Sequence, residues 1–172
     1  GSRSAQANNI MAAKAVAESV RSTLGPLGFD KMLVDGGGRV VISNDGATIL
    51  REIDADHPAA KLVIEISQTQ EAQCHDGTTS AAVLAGALLG MAEELIDQKI
   101  HPGIICKGYH AAGAIIDEEL NKIGWPCEPD ELRAAARTSI TGKSAESATD
   151  VLADISVSAL EAVRDEEGVD LD

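Results

Sequence analysis

The chain has 172 residues, with 28 acidic and 14 basic side chains and a formal net charge of −14. This length suits one domain with a full core, or one domain and part of a second. The charge argues against nucleic-acid binding, because phosphate backbones are bound by clustered Lys and Arg. Aromatic residues make up only 2% of the chain against 44% hydrophobic residues overall. The core is therefore built from Ala, Val, Ile and Leu, which favours closely packed helices.

The three cysteines, Cys74, Cys106 and Cys127, are far apart and form no CxxC pair. This usage is typical of a reducing cytosol rather than of a disulfide scaffold. It also leaves His75 without the second Cys/His pair that a zinc site requires. We expect neither a signal peptide nor an apolar run long enough to cross a bilayer. The sequence therefore predicts a cytoplasmic protein with no membrane partner.

The first elements are predicted to be a helix and a β-hairpin. Apolar residues recur at helical spacing over residues 5–24, and a glycine-proline pair ends this helix. The turn over residues 24–28 is either a plain connector or a loop whose exposed backbone lies against a flat or anionic ligand. Two β-prone runs follow, Lys31–Asp35 and Val40–Ser43, and the three glycines between them predict a hairpin.

Three longer helices are predicted next. The first begins at Pro58, which suits a first helical turn, and runs to about Cys74. The second begins after Asp76 and is so poor in charge that we expect it at the centre of the fold. The third runs from Pro102 to about Ile123. The buried face of the first of these helices is predicted to contain Ala59, Leu62, Val63, Ile66 and Thr69.

The pattern of the chain changes after the Gly-Trp-Pro triplet at residues 124–126, which ends the third long helix. We expect a short polar helix over residues 130–137, a loop over 138–143 and a last helix over 144–163. The fold class is therefore mainly α-helical with one small β-hairpin, and a domain boundary is predicted near residues 124–128.

The string Asp76-Gly77-Thr78-Thr79-Ser80 carries the strongest chemical signal. It opens a helix, so its backbone N–H groups are free to bind an anion, and its three successive hydroxyls add donors for phosphate oxygens. Gly77 lets the backbone approach a ligand. The carboxylate of Asp76 would repel a phosphate unless a cation such as Mg²⁺ lay between them. The string predicts a site for a magnesium-bound nucleotide; the alternative is an Asp N-cap with a Thr-rich first turn.

A second Asp-Gly turn, Asp45-Gly46, is followed by Thr48 and repeats this pattern. Two carboxylates presented from two turns can hold Mg²⁺ and orient a water for attack on a phosphoryl group. Taken alone, Asp45 is explained as a turn residue. Further along, Gly142-Lys143 ends a hydroxyl-rich loop from which a lysine could reach a phosphate, although the glycine spacing of a P-loop is missing.

Seven short strings along the chain are informative together. They are Thr23-Leu24-Gly25-Pro26, Asp30-Lys31-Met32-Leu33-Val34-Asp35, Asn44-Asp45-Gly46-Ala47-Thr48-Ile49-Leu50, His57-Pro58-Ala59-Ala60-Lys61, Asp76-Gly77-Thr78-Thr79-Ser80, Lys99-Ile100-His101-Pro102 and Thr138-Ser139-Ile140-Thr141-Gly142-Lys143. In order and spacing they resemble group II chaperonins, the archaeal thermosome and eukaryotic cytosolic type. The resemblance covers almost the whole chain and does not depend on any single motif.

The resemblance implies that the chain is a piece of a chaperonin subunit. Residues 1–126 would be the N-terminal segment of the equatorial ATP-binding domain, and residues 127–172 the first segment of the intermediate domain. The apical domain and the C-terminal equatorial segment are expected to be absent. The intact subunit would be an ATP hydrolase that closes a double ring of chaperonin subunits around unfolded protein, which binds the apical domain.

The resemblance also implies roles for individual residues. Asp76 would be the ligand of Mg²⁺, and Asp45 would be the catalytic carboxylate that assists hydrolysis. Lys143 lies in a loop that would report the γ-phosphate to the intermediate domain. The residues expected to contact ATP or ADP are Leu24, Gly25, Pro26, Gly46, Gly77, Thr78, Thr79, Ser80, Gly142 and Lys143.

Two positions depart from the family pattern. His75 stands where the family usually has Gly, which costs roughly 1 to 2 kcal/mol if the backbone φ is positive there. Leu27 stands where Lys or Arg is common, and so removes a cation that could face a phosphate. These departures keep open a non-hydrolysing oligomerisation or regulatory module with a decayed nucleotide site. A third hypothesis is an unrelated small nucleotide-binding enzyme with two Asp-Gly turns. We also expect exposed equatorial surface that the absent segment would cover.

Overall fold

A computed structural model of the chain describes residues 2–125, 127–142, 145–165 and 168–169. Within these residues the chain forms seven α-helices, one 3₁₀ helix and a two-stranded antiparallel hairpin. The predicted fold class, mainly α-helical with a small hairpin, is confirmed. The elements in chain order are α1 (Ser2–Arg21), β1 (Lys31–Val34), β2 (Val40–Ser43), α2 (Gly46–Arg51), α3 (Pro58–Cys74), α4 (Thr78–Asp97), α5 (Pro102–Ile123), α6 (Pro129–Ile140), the 3₁₀ helix (Glu146–Ala148) and α7 (Thr149–Val163).

The chain divides into two compact units, residues 1–116 and residues 117–172. In the first unit, α1, α3 and α4 pack against one another, and the short α2 packs against all three. The core between these helices is built of small and branched aliphatic side chains, as the composition predicts. Its buried members are Ala13, Val16, Ala17, Val20, Ile49, Leu50, Ala60, Val63 and Ala82.

The helices α1 and α4 approach closely where Ala17 faces Gly86. A Cβ atom on Gly86 would lie 2.4 Å from the Cβ of Ala17, far inside van der Waals contact, and Ala17 is only 2% exposed. The two helices can lie this close because neither position carries a longer side chain.

The helix α4 is less buried than a central helix would be. It contacts α1, α2 and α3, but its buried residues form a narrow face, and Leu84 and Met91 are 60% and 51% exposed. The prediction that no apolar run could cross a bilayer is wrong, since α4 is long and apolar enough by length and composition. Apolar core helices of soluble proteins meet the same criterion, so this finding alone does not place the chain in a membrane.

The buried face of α3 differs from the predicted one. Of the five residues predicted to be buried, only Val63 is, and it is joined by Ala60 and Ser67. Leu62 and Ile66 are 61% and 43% exposed. The apolar residues of α3 form a band broad enough to face inwards in more than one rotation. Periodicity alone therefore could not select the face that packs.

The first helix ends earlier than predicted. α1 stops at Arg21 rather than at Leu24, because the N–H and the hydroxyl of Thr23 both bond to the carbonyl of Val20, at 3.0 and 2.8 Å. This local bonding turns the chain before the glycine-proline pair is reached.

In the second unit, the loop after α6 begins later than predicted. α6 continues through Ile140, and the hydroxyls of Thr138 and Ser139 bond to carbonyls of the preceding turn within it. The last helix starts at Thr149, after the 3₁₀ turn, rather than at residue 144. α6 packs on α7, where ion pairs of 2.7 and 2.9 Å join Arg133 to Asp154 and Arg137 to Asp150.

The predicted hairpin is confirmed, and β1 pairs with β2 along the full length of both strands. Asp35 shapes its turn, since one carboxylate oxygen accepts hydrogen bonds from the N–H groups of Gly37 and Arg39 at 2.9 Å. The side chain of Arg39 forms an ion pair with Glu52, which follows α2. The hairpin is thereby connected to the end of α2.

The close approach of α1 and α4 predicts that Gly86→Ala is destabilising. The added methyl overlaps Ala17, so we expect the free energy of unfolding to fall by about 1 to 2 kcal/mol despite the better helix propensity of alanine. Gly90→Ala is the matched control on the same helix, because a Cβ there lies 3.8 Å from the nearest atom, in Lys14. Its stability should be unchanged or higher by up to about 1 kcal/mol. Urea denaturation measures both, and equal stability of the two variants would contradict the tight contact.

Candidate functional site

The two Asp-Gly turns found in the sequence meet in the structure. Asp45 is the N-cap residue of α2, and one of its carboxylate oxygens accepts a hydrogen bond from the backbone N–H of Thr48 at 2.8 Å. The other oxygen accepts from the hydroxyl of Thr78, the first residue of α4, at 3.2 Å. Asp45 and Thr78 are 33 residues apart in sequence, so only tertiary packing brings them together.

Gly46 makes this meeting sterically possible. A Cβ atom on Gly46 would lie 2.5 Å from the hydroxyl oxygen of Thr79 and 2.7 Å from its backbone nitrogen. Both residues are buried, so a larger residue at position 46 would force the backbone of α4 to move. The first turns of α2 and α4 therefore lie directly against each other.

The loop between α3 and α4 contains two residues with positive φ. His75 ends α3 with a φ of +53°, and Gly77 precedes α4 with a φ of +77°. Between them Asp76 is exposed, and its Oδ1 accepts a hydrogen bond from the N–H of Gly77 at 2.7 Å. The condition under which a histidine costs energy at position 75 is therefore present, since glycine adopts this conformation without strain.

Two residues of α3 that the sequence did not single out hold this loop. The side-chain amide of Gln70 donates to the carbonyl of Asp76 at 2.8 Å, and the hydroxyl of Ser67 donates to the carbonyl of Thr78 at 3.2 Å. Ser67 is completely buried. One feature of the sequence could have identified Ser67. This serine continues the buried alanine-valine face of α3 at helical spacing, at a position where an apolar residue would be expected.

The predicted phosphate donors at the start of α4 differ in accessibility. The backbone N–H groups of Thr78, Thr79 and Ser80 have no partner within the helix, as in any first helical turn. Thr78 and Thr79 are 4% and 9% exposed, and the hydroxyl of Thr78 is already bonded to Asp45. Ser80, in contrast, is exposed.

The turn that follows α1 is exposed and shaped by glycine. Gly25 has a φ of +81°, and its carbonyl accepts from the N–H of Gly28 at 3.0 Å. Leu24 and Pro26 are exposed beside it, and Leu27 is 91% exposed. Among the hydrogen bonds of the described residues, none joins this turn to the Asp-Gly turns.

The structure describes only one of the two last predicted nucleotide contacts, Gly142 and Lys143. Gly142 follows α6 with a φ of +77°, the conformation that favours glycine after a helix. Lys143 lies outside the described residues, and its role stays a prediction.

The carboxylate of Asp45 is held in its ionised form. Partial burial opposes its charge, but hydrogen bonds from Thr48 and Thr78, together with the positive charge of Arg51, outweigh the burial and lower the pKa of Asp45 below its ordinary value. Asp45 is therefore negatively charged at neutral pH and able to accept further hydrogen bonds.

The surroundings of Asp76 fit magnesium only when a phosphate is also present. The described part of the chain has no group of three or more His, Cys, Asp or Glu side chains that could bind a metal by itself. Mg²⁺ is commonly held by one or two carboxylates, with phosphate oxygens and waters as the other ligands. The exposed carboxylate of Asp76, next to the free N–H groups of α4, suits this arrangement.

Comparison with known proteins decides the family. The model of the TCP-1/cpn60 chaperonin family matches residues 16–172. The chain belongs to this family. It is 56% identical to the thermosome subunit beta of Archaeoglobus fulgidus over 95% of the chain. It is 53% and 52% identical to the thermosome subunits of Methanocaldococcus jannaschii and Methanopyrus kandleri, over 96% of the chain in both cases. The predicted resemblance to group II chaperonins is thus confirmed, and the chain spans 31% of the length of each of these chaperonin relatives.

The positive φ at His75 predicts that His75→Gly stabilises the chaperonin chain. We expect the free energy of unfolding to rise by about 0.5 to 1 kcal/mol, because the relief of strain exceeds the larger entropy of glycine in the unfolded chain. Gln73→Gly is the control, since residue 73 lies inside α3, where glycine should destabilise by about 1 kcal/mol. Urea denaturation distinguishes the two. A loss of stability in both variants would show that position 75 carries no strain.

The lowered pKa of Asp45 predicts a difference between the parent and Asp45→Asn at acidic pH. The folded-state pKa lies below the unfolded value of about 3.9, so the ionised form contributes stability above about pH 4, and this contribution is lost as the pH falls through the folded pKa. We expect the parent to be more stable by about 1 kcal/mol at neutral pH, with the difference shrinking below about pH 4. Asp56→Asn, at an exposed loop carboxylate, is the control. Parallel stability curves for the parent and Asp45→Asn would contradict the lowered pKa.

Proposed function

We propose that this chain carries part of the nucleotide site of a chaperonin subunit that, when whole, binds and hydrolyses Mg-ATP. The observation that carries the proposal is the hydrogen bond from Thr78 to Asp45, which places the two Asp-Gly turns side by side. Membership of the chaperonin family supports it, since thermosome subunits match the chain over nearly all of its residues.

In this proposal the first turn of α4 binds the phosphates of ATP or ADP. The N–H groups of Thr78, Thr79 and Ser80 donate to phosphate oxygens, as does the exposed hydroxyl of Ser80. Gly77 allows the close approach, and Asp76 holds Mg²⁺ through its exposed carboxylate. The metal, when bound, neutralises charge that develops on the phosphate oxygens.

Asp45 has the catalytic role in this proposal. Its carboxylate is ionised at neutral pH, and each oxygen retains a lone pair beyond the bonds from Thr48 and Thr78. It can therefore accept a hydrogen bond from a water molecule and orient that water towards the terminal phosphoryl group. The remaining nucleotide contacts, at Leu24, Gly25, Pro26, Gly46, Gly142 and Lys143, are proposed on the resemblance to the family.

Domain assignment and assembly belong to the same proposal. Residues 1–126 correspond to the first equatorial segment and residues 127–172 to the first intermediate segment. Hydrolysis, assembly of a double ring with other subunits, capture of unfolded protein through an apical domain and a cytoplasmic location are proposed for the whole subunit. Exposed apolar side chains on α4 and α5, including Leu84, Ile104 and Ile115 at 60%, 63% and 60% exposure, support the expectation of uncovered equatorial surface.

The backbone at His75 favours a second candidate function. His75 has a side chain and a φ of +53°, next to the proposed phosphate-binding residues. A site that no longer hydrolyses ATP would tolerate such a residue. In that case the chain is a non-hydrolysing oligomerisation or regulatory module derived from a chaperonin.

Calorimetric titration with ADP, with and without Mg²⁺, tests the proposed site. We expect the parent to bind in the presence of Mg²⁺, and Asp76→Ala to weaken that binding by at least about tenfold, because the variant loses the carboxylate that holds the metal. Asp56→Ala removes an exposed carboxylate elsewhere and should bind like the parent.

Each other outcome has a distinct meaning. Binding that is equal in the parent and in Asp76→Ala would contradict the role of Asp76. Binding by His75→Gly but not by the parent would favour the second candidate function. If none of these proteins bound the nucleotide, the proposed part of the nucleotide site would not be preformed in this chain.

A further inference from the structure

We infer that Ser67 and Gln70 on α3 are positioning residues that set the orientation of the nucleotide loop. The inference rests on the proposed function and adds α3 to it, a helix to which the proposed function assigns no direct contact with the nucleotide. Ser67 and Gln70 are three residues apart, on one face of α3. Gln70 donates to the carbonyl of Asp76 and Ser67 to the carbonyl of Thr78, on either side of Gly77.

The planar peptide bond explains how these donors aim the loop. In a trans peptide the C=O of one residue and the N–H of the next point in opposite directions. Gln70 holds the carbonyl of Asp76 towards α3, so the N–H of Gly77 must point away from α3. That N–H donates to Oδ1 of Asp76 at 2.7 Å. The amide of Gln70 therefore determines the side of the loop on which the carboxylate of Asp76 lies.

A second donor acts two residues further along. Ser67 holds the carbonyl of Thr78 towards α3, so the N–H of Thr79 points away from it. Without the amide of Gln70, the carbonyl of Asp76 could turn to the side on which phosphate is proposed to bind, where its partial negative charge would repel an anion. The carbonyl of Thr78 already has its direction from the first turn of α4, so the hydroxyl of Ser67 ties that turn to α3. Ser67 is completely buried, which protects its hydrogen bond from competition with water.

The glycine between the two carbonyls fits this arrangement. A Cβ atom on Gly77 would lie 3.2 Å from Nε2 of Gln70, so the backbone of the loop packs directly against the amide. The loop has only three residues between α3 and α4, and two of them have positive φ. Such a short and constrained connection has few orientations available, and the amide of Gln70 selects one of them.

Gln70→Met tests the inference, because methionine keeps the length of the side chain and removes the donor. Gln68→Met is the matched control: Gln68 is exposed on the same helix and has no hydrogen bond to the loop in the described structure. Calorimetry with ADP should show binding about tenfold weaker in Gln70→Met when Mg²⁺ is present, a smaller change without Mg²⁺, and no change beyond about twofold in Gln68→Met.

A second measurement examines the loop without any ligand. We expect the NMR order parameter of the Gly77 amide to fall from about 0.85, typical of rigid backbone, to below about 0.6 in Gln70→Met, while Gln68→Met keeps the rigid value. Urea denaturation of both variants monitors the overall stability. A purely structural role for Gln70 would lower stability while leaving the dependence of nucleotide affinity on Mg²⁺ unchanged.

The outcomes separate this inference from the proposed function. If the parent binds Mg-ADP and Gln70→Met binds equally well, the inference is overturned and the proposed function stands. If the parent does not bind, the proposed site in this chain fails, and the order parameters alone decide whether Gln70 holds the loop. An unchanged Gly77 order parameter in Gln70→Met would overturn the inference in either case.

Discussion

The contact between the first turns of α2 and α4 is the constraint on which the candidate site depends. It needs a glycine at position 46, because any side chain there would overlap Thr79. It also needs Asp45, whose two carboxylate oxygens accept hydrogen bonds from Thr48 in its own helix and from Thr78 in the other. One residue thus caps a helix, joins two helices and remains ionised. The requirements of folding and of the proposed chemistry coincide at Asp45, since the hydrogen bonds that stabilise the contact also lower its pKa.

The contact between α2 and α4 also depends on small side chains in the core, which lie away from the contact itself. The helices that carry the two turns are held by α1 and α3, and the core between them consists of alanine, valine, isoleucine and leucine without a single buried aromatic residue among those described. Where Ala17 meets Gly86, the helices touch almost through their backbones. Close packing of this kind leaves little freedom for one helix to slide along another. The position of the α4 N-terminus therefore follows from packing along the whole of α1 and α3.

The loop from His75 to Gly77 combines strain with support. Its two ends have positive φ, and at His75, which carries a side chain, this raises the energy of the loop, whereas Gly77 adopts the conformation without strain. Hydrogen bonds from Ser67 and Gln70 oppose this cost from the side of α3. Strained backbone persists only where the surroundings determine it strongly, and here the surroundings leave Asp76 exposed. The chain belongs to the chaperonin family and spans 31% of the length of its thermosome relatives, and nucleotide binding by this arrangement is our proposal.

Periodicity and turn chemistry in the sequence alone determined the helical fold class, the hairpin and the two Asp-Gly turns, because these depend on neighbouring residues. Helix ends were less predictable, since a threonine such as Thr23 can bond to the backbone in the last turn or continue the helix. The inward face of α3 was mispredicted, because its apolar band is wide and burial of Ser67 depends on the carbonyl of Thr78. Only the tertiary structure decided that Asp45 and Thr78 meet, since residues 33 apart in sequence are brought together by the packing of whole helices, which no local pattern encodes.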